Sequence, residues 1–173
     1  MSLRRLFLCM LLLTVLSACG FQLRGSRPDS RLPFTTLYLD VTRNTQLERD
    51  LRSAVLAQDD VRLTTDAKTA QATVRIISEA EERKILTLNA QGQVREFSLL
   101  YRLRYEVREA DGKVLLKPSE LALQAFMTYS EAQAIAKETE QKMIFSDLRS
   151  DAINQIIRQM AQLKPTQQIT KPD

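Results

Sequence analysis

Histidine is absent, cysteine occurs twice and glycine four times in 173 residues. Without histidine, the commonest general base near neutral pH is missing. The cysteines are Cys9 and Cys19, too few and wrongly spaced for a C-x-x-C redox pair or a structural zinc site. The other possible metal ligands are scattered carboxylates, and none of the glycines builds a phosphate-cradling loop. No metal and no cofactor is therefore expected. Past the first sixteen residues no apolar run approaches the ~20 residues that span a bilayer. Charge is nearly balanced too. The first 18 residues carry two of the 25 basic side chains and none of the 21 acidic ones. The remainder has too little positive charge to imply a nucleic-acid partner.

What is present begins at the N-terminus. Arg4 and Arg5 precede an apolar run from Leu6 to Leu16, broken only by Thr14. That is the length of a signal-peptide apolar region. Leu16-Ser17-Ala18-Cys19-Gly20 follows directly. Leucine, two small residues and then cysteine form a bacterial lipobox, so residues 1–18 read as a lipoprotein signal. Cys19 reads as the first mature residue, carrying an S-diacylglycerol and an N-palmitoyl chain. Its thiolate is the nucleophile that takes the diacylglyceryl group. Two or three acyl chains hold a protein on a membrane where one does so only marginally. Cys9 leaves with the signal, so no disulfide is expected. Gly20 replaces the aspartate that retains many enteric lipoproteins in the inner membrane.

Residues 19–35 read as the lipidated end and a tether, 36–163 as one α+β domain, and 164–173 as a disordered tail. Leu37, Leu39 and Val41 alternate and predict a strand. Thr45-x-x-Glu48 is a capping box ahead of Leu47, Leu51, Ala54 and Val55, which share one helical face. Residues 72–88 are strand-like, with a charged middle, Glu79 to Lys84, that predicts a bulge or bend. Asn89 to Gly92 is a turn. Phe97, Leu99, Tyr101, Leu103, Tyr105 and Val107 then alternate without a miss, with Arg102, Arg104 and Arg108 on the opposite face. Asp111-Gly112 turns the chain into a strand over 114–129, with a break or edge near Pro118. Ser130 and Gln133 predict a capped helix to Leu163 with Phe145, Leu148, Ala152, Ile156 and Met160 on one stripe. The expected fold is a four-stranded, largely antiparallel or mixed sheet with two helices on one face, in the order β-α-β-β-β-α.

Candidate chemistry is sparse. Glu79, Glu81 and Glu82 could form a carboxylate acid/base pair or a solvated, charge-balanced strand. The second reading is preferred, and no catalytic residue is expected. The arginine-bearing sheet face is either hydrated or meets a polar partner.

Cys19-Gly20-Phe21-Gln22-Leu23-Arg24-Gly25 resembles the mature opening of the LptE (RlpB) family of lipopolysaccharide-assembly lipoproteins. Ala134-Ile135-Ala136-Lys137-Glu138-Thr139-Glu140-Gln141 resembles the start of that family's second helix. The resemblance implies a non-catalytic plug and assembly partner, one to one, inside the outer-membrane β-barrel LptD. It further implies contact with lipopolysaccharide and attachment to the outer membrane on its periplasmic side. Lys137 lies in the matching motif and is a candidate for lipopolysaccharide phosphate. Family members can carry a basic residue at the turn that here reads Asn89 to Gly92, and Arg95 is the nearest replacement. The other reading is a periplasmic adaptor or pilot lipoprotein for a different outer-membrane machine.

Overall fold

The computed structural model describes residues 31–58 and 60–164. The signal, Cys19, most of the expected tether and the tail from residue 165 lie outside them. The elements are β1 (Thr36–Asp40), α1 (Gln46–Leu56), β2 (Arg62–Leu63), β3 (Ala72–Leu88), β4 (Val94–Glu109), β5 (Val114–Thr128) and α2 (Ala134–Ala161). They form one mixed sheet in the order β2-β1-β3-β4-β5. β1 runs parallel to β2 and β3, and β3, β4 and β5 are antiparallel. Parallel neighbours need a crossover, and α1 supplies it between β1 and β3.

The α+β class and the two helices agree with the sequence, but the sheet has five strands rather than four. The extra strand is two residues long, too short to show an alternation. It forms because the chain leaving α1 passes the free edge of β1, where Arg62 N–H donates to Thr35 O (2.9 Å) and Thr64 N–H to Leu37 O (2.9 Å).

β4 organises the core. Leu99, Tyr101, Leu103, Tyr105 and Val107 are fully buried, and Phe97 nearly so. From the helix layer come Phe145, Leu148, Ala152, Ile156 and Met160 of α2 with Leu47, Leu51 and Val55 of α1, all in one cluster with the sheet. Ile153 and Ile157 are buried as well, and α1 packs against α2. The core also reaches back before β1, where Leu32 and Phe34 are buried.

Local signals explain the element ends. Glu48 N–H donates to the Thr45 hydroxyl (3.1 Å), and the Glu48 carboxylate accepts from Asn44 N–H (3.1 Å). Gly92 and Gly112 sit at φ +79° and +88° in the two hairpin turns, a backbone region glycine enters without strain. The start of α2 differs from expectation. Ser130 makes no side-chain cap, and Glu131–Gln133 form a 3₁₀ turn ahead of Ala134. The chain must reverse tightly from β5 onto the sheet face, and the tighter helix does so in fewer residues.

Strand β3 bends where the charged middle begins. Ile76 pairs with Tyr105, but Ser78 pairs with Arg104, leaving Ile77 as a bulge. A bulge inserts one unpaired residue. Before it, Val74 and Ile76 face the helices. After it, Glu79, Glu81 and Arg83 do, opposite Leu103, Tyr101 and Leu99.

Ile156 is 0% and Met143 63% exposed. Ile156→Ala should therefore destabilise the domain by about 3 kcal/mol in urea unfolding, and Met143→Ala by under about 0.5 kcal/mol. Similar costs at both sites would contradict the assigned core.

Candidate functional site

The helix side of β3 after the bulge is polar. Arg149 of α2 is nearly buried, with its side chain 12% exposed. Its Nη2 meets Glu81 at 2.7 Å, its Nε meets Glu79 at 3.3 Å and its Nη1 meets Asp50 of α1 at 3.5 Å. The Tyr101 hydroxyl donates to Glu79 (2.8 Å), and the Arg149 guanidinium lies 6.0 Å from the Tyr101 ring centroid. One cation thus ties both helices to β3 and β4. Burial acts to lower the Arg149 pKa, but the Glu79 hydrogen bond, with the charges around it, leaves it raised. Burial, the bond to Glu79 and that carboxylate's charge push the Tyr101 phenol far up. Burial alone pushes Tyr105 up to about 12, and its hydroxyl bonds Gln159. Both phenols are neutral hydrogen-bonding groups at physiological pH.

The opposite face of the sheet carries a charge ladder. Arg75 meets Asp40 (3.4 Å) and Glu106 (3.7 Å), and Arg108 meets Glu106 (2.9 Å). Glu106 is only 3% exposed. Further along, Glu82 joins Lys84 (3.1 Å) and Arg102 (2.6 Å), and Arg102 reaches Glu120 (4.0 Å). Arg104, between these groups, is exposed. The acidic cluster is therefore divided: Glu79 and Glu81 meet Arg149 on one face, where Asp50 makes three carboxylates to one cation, and Glu82 joins the ladder on the other.

At the far end of the sheet, Lys137 Nζ donates to Thr128 Oγ1 (3.1 Å) and Glu140 Oε2 (2.7 Å). Tyr129 N–H donates to Arg95 O (2.8 Å). Since Thr128 and Tyr129 are adjacent, Lys137 and Arg95 come to the same end of the domain. Lys137 is half-buried and already held by its partners, whereas Arg95 is exposed. Arg83 bonds Gln141 (3.0 Å) and stacks 4.6 Å from the Phe97 ring centroid. Ile85, Leu88 and Ile135 are exposed at this end. Arg149 was not singled out from sequence, where nothing sets it apart from Arg158 beside the same apolar stripe.

A cleft of about 330 Å³ lies at the other edge, between the start of α1 and the ends of β1 and β2. Glu48 and Arg52, which line it, neutralise each other at 3.0 Å. Among the described residues no group of His, Cys, Asp and Glu is placed to hold a metal ion, and no helix is long and apolar enough to cross a membrane.

A mixed sheet, dry under two helices and wet and charged on its other face, defines an α+β domain of a kind that known families share. The comparisons agree on which one. A family model described as LptE, Lipopolysaccharide-assembly, matches residues 34–160. The chain is 28% identical over 177 residues to the LPS-assembly lipoprotein LptE of Pectobacterium atrosepticum, covering 95% of this chain and 90% of the relative. It is also similar to the solution structure of lipoprotein B from Nitrosomonas europaea, with TM-score 0.70 and 31% identity, over 82% of this chain and 90% of that one. The crystal structure of rare lipoprotein B from Shewanella oneidensis shares the fold, with TM-score 0.65 and 24% identity over 73% and 93% of the two chains. The chain belongs to the LptE family of non-catalytic lipopolysaccharide-assembly lipoproteins.

Glu106 gives a pH prediction. The Arg108 hydrogen bond holds its carboxyl below the usual 4.5 against the opposing effect of burial, helped by the charges of Arg108 and Arg75. A carboxyl whose pKa is lower folded than unfolded adds stability above the unfolded value, and that stability is lost as pH falls through the folded one. Glu106→Gln should thus be less stable than the parent at pH 7, with the gap closing below about pH 4. A gap that stays constant down to pH 3 would show that the Glu106 charge contributes nothing. At the seam, Arg149→Met leaves three carboxylates facing one another and should cost about 2 kcal/mol at pH 7.

Proposed function

We propose that this protein is the plug and assembly partner of an outer-membrane β-barrel, the LptD barrel of the lipopolysaccharide translocon, bound one to one. The observation that carries the reading is the wet sheet face. It is broad and charged, and its ladder pairs most of its ions with one another. The lumen of a large barrel is polar, and a plug there must offer hydrogen-bonding surface without leaving desolvated charges unpaired. The internal ion pairs meet that need, and Arg104 adds a cation among them. Lipid on Cys19 would hold the domain on the periplasmic side of the outer membrane, with the segment before β1 giving reach.

Direct contact with lipopolysaccharide during transport is the second reading, favoured by the placement of Lys137 and Arg95 at the same end of the domain. Lysine and arginine bind phosphate by charge-assisted hydrogen bonds. Arg95 is exposed to meet one, and Lys137 would exchange Glu140 for it.

Pull-down of tagged protein from gently solubilised outer membranes should recover one large barrel protein at one to one. Recovery as a free monomer would overturn the plug reading. Lys137→Asp should weaken lipopolysaccharide binding several-fold with little change in melting temperature, because losing one i,i+3 helix pair, even with a like charge set against Glu140, costs only about 0.5–1 kcal/mol. Unchanged affinity would remove Lys137 from the contact.

A further inference from the structure

β5 is an edge strand of 15 residues. Long open edges are liabilities, and proteins blunt them with short strands, charges, proline or bulges. The other edge is blunted by brevity, since β2 has two residues. The first half of β5 is blunted by Lys117, Pro118 and Glu120, and its register against β4 slips twice near Val107. The second half has no such protection. Leu121 to Thr128 carries no charge, proline or glycine and pairs with β4 in unbroken register. Among the described residues, its backbone bonds to no element but β4. Phe126 on the wet face is 62% exposed.

We propose that this open edge pairs with the same edge of a second copy of the chain, antiparallel, about a two-fold axis at Gln124. The register follows from face matching, since residues directly opposite across an antiparallel pair lie on one side of the sheet. Centred on Gln124, Leu123 meets Ala125 and Leu121 meets Met127 on the helix side. Ala122 meets Phe126 on the wet side. Glu120 meets Thr128 at each end, so no like charges oppose. The segment is its own complement, as a two-fold interface requires. A strand bearing charges would lose these apolar pairings. The pairing concerns the lipoprotein before it meets a barrel, so its failure would leave the plug reading standing.

Disulfide trapping of the full lipoprotein, purified free of any barrel and held on vesicles of outer-membrane lipid, with a mild oxidant added, tests the register. Directly opposed residues lie about 5 Å apart between Cα atoms, within disulfide reach, and residues four apart along the strand lie about 13 Å away. Gln124→Cys should give a covalent dimer at least tenfold more abundant than Phe126→Cys alone. Ala122→Cys and Phe126→Cys co-expressed should form the mixed dimer, with Gln124 left intact. Lysines at both 122 and 126 would oppose each other and should cut the Gln124→Cys dimer at least tenfold. All three residues are exposed, so the variants leave the core untouched. Equal trapping at every position, no trapping at any, or a dimer indifferent to the lysines would overturn the proposal.

Discussion

Strand β4 divides the molecule into a dry side and a wet side. Its apolar residues occupy alternate positions from Phe97 to Val107, and each is buried beneath a helix or a neighbouring strand. Side chains alternate faces along a strand, so the same regularity sends Arg102, Arg104, Glu106 and Arg108 to the other surface. A one-residue slip would exchange the two sets. The position of both helices and the charge ladder follow from this register.

Strand β3 cannot keep that division along its whole length, because its sequence turns charged after Ile76. The bulge at Ile77 puts Glu79 and Glu81 under the helices, where an unpaired carboxylate would be costly. Arg149 compensates for this by meeting both, and Asp50 of α1 completes its coordination. An apolar side chain there would leave the carboxylates without a counter-ion. Past this seam β4 and β5 still give Leu99, Phe97 and Met127 to the core, while β3 meets the helix layer through polar contacts such as Arg83 with Gln141.

Much of this was legible in the sequence. The alternation in β4, the Thr45–Glu48 box and the glycines of both hairpin turns each act locally, and each appears where its pattern placed it. The bulge or bend expected within Glu79–Lys84 is not there, since those residues pair with β4 in unbroken register; the bulge lies ahead of them at Ile77. The two-residue β2 left no pattern, because it depends on the route of the chain past β1. The 3₁₀ turn at Glu131–Gln133 replaced the helix cap expected at Ser130, because the reversal from β5 outweighs capping preference. Arg149 was hidden for a similar reason. Its partners come from three other elements, and only the fold brings them together. Lys137 and Arg95, chosen from a motif and from a turn, lie at the same end of the domain, yet Lys137 is already engaged by Thr128 and Glu140.

The family places this domain in lipopolysaccharide assembly, and the wet face is the surface best suited to a polar lumen. Arg104 stands between the two ion-pair groups of that face, exposed and central, where a partner wall would come close. A photocrosslinking residue at position 104, in the full lipoprotein in living cells, tests the account most directly. The account predicts one dominant adduct, to a large outer-membrane barrel. Absence of any barrel adduct from position 104, with barrel adducts from the outward side of α2 instead, would contradict it.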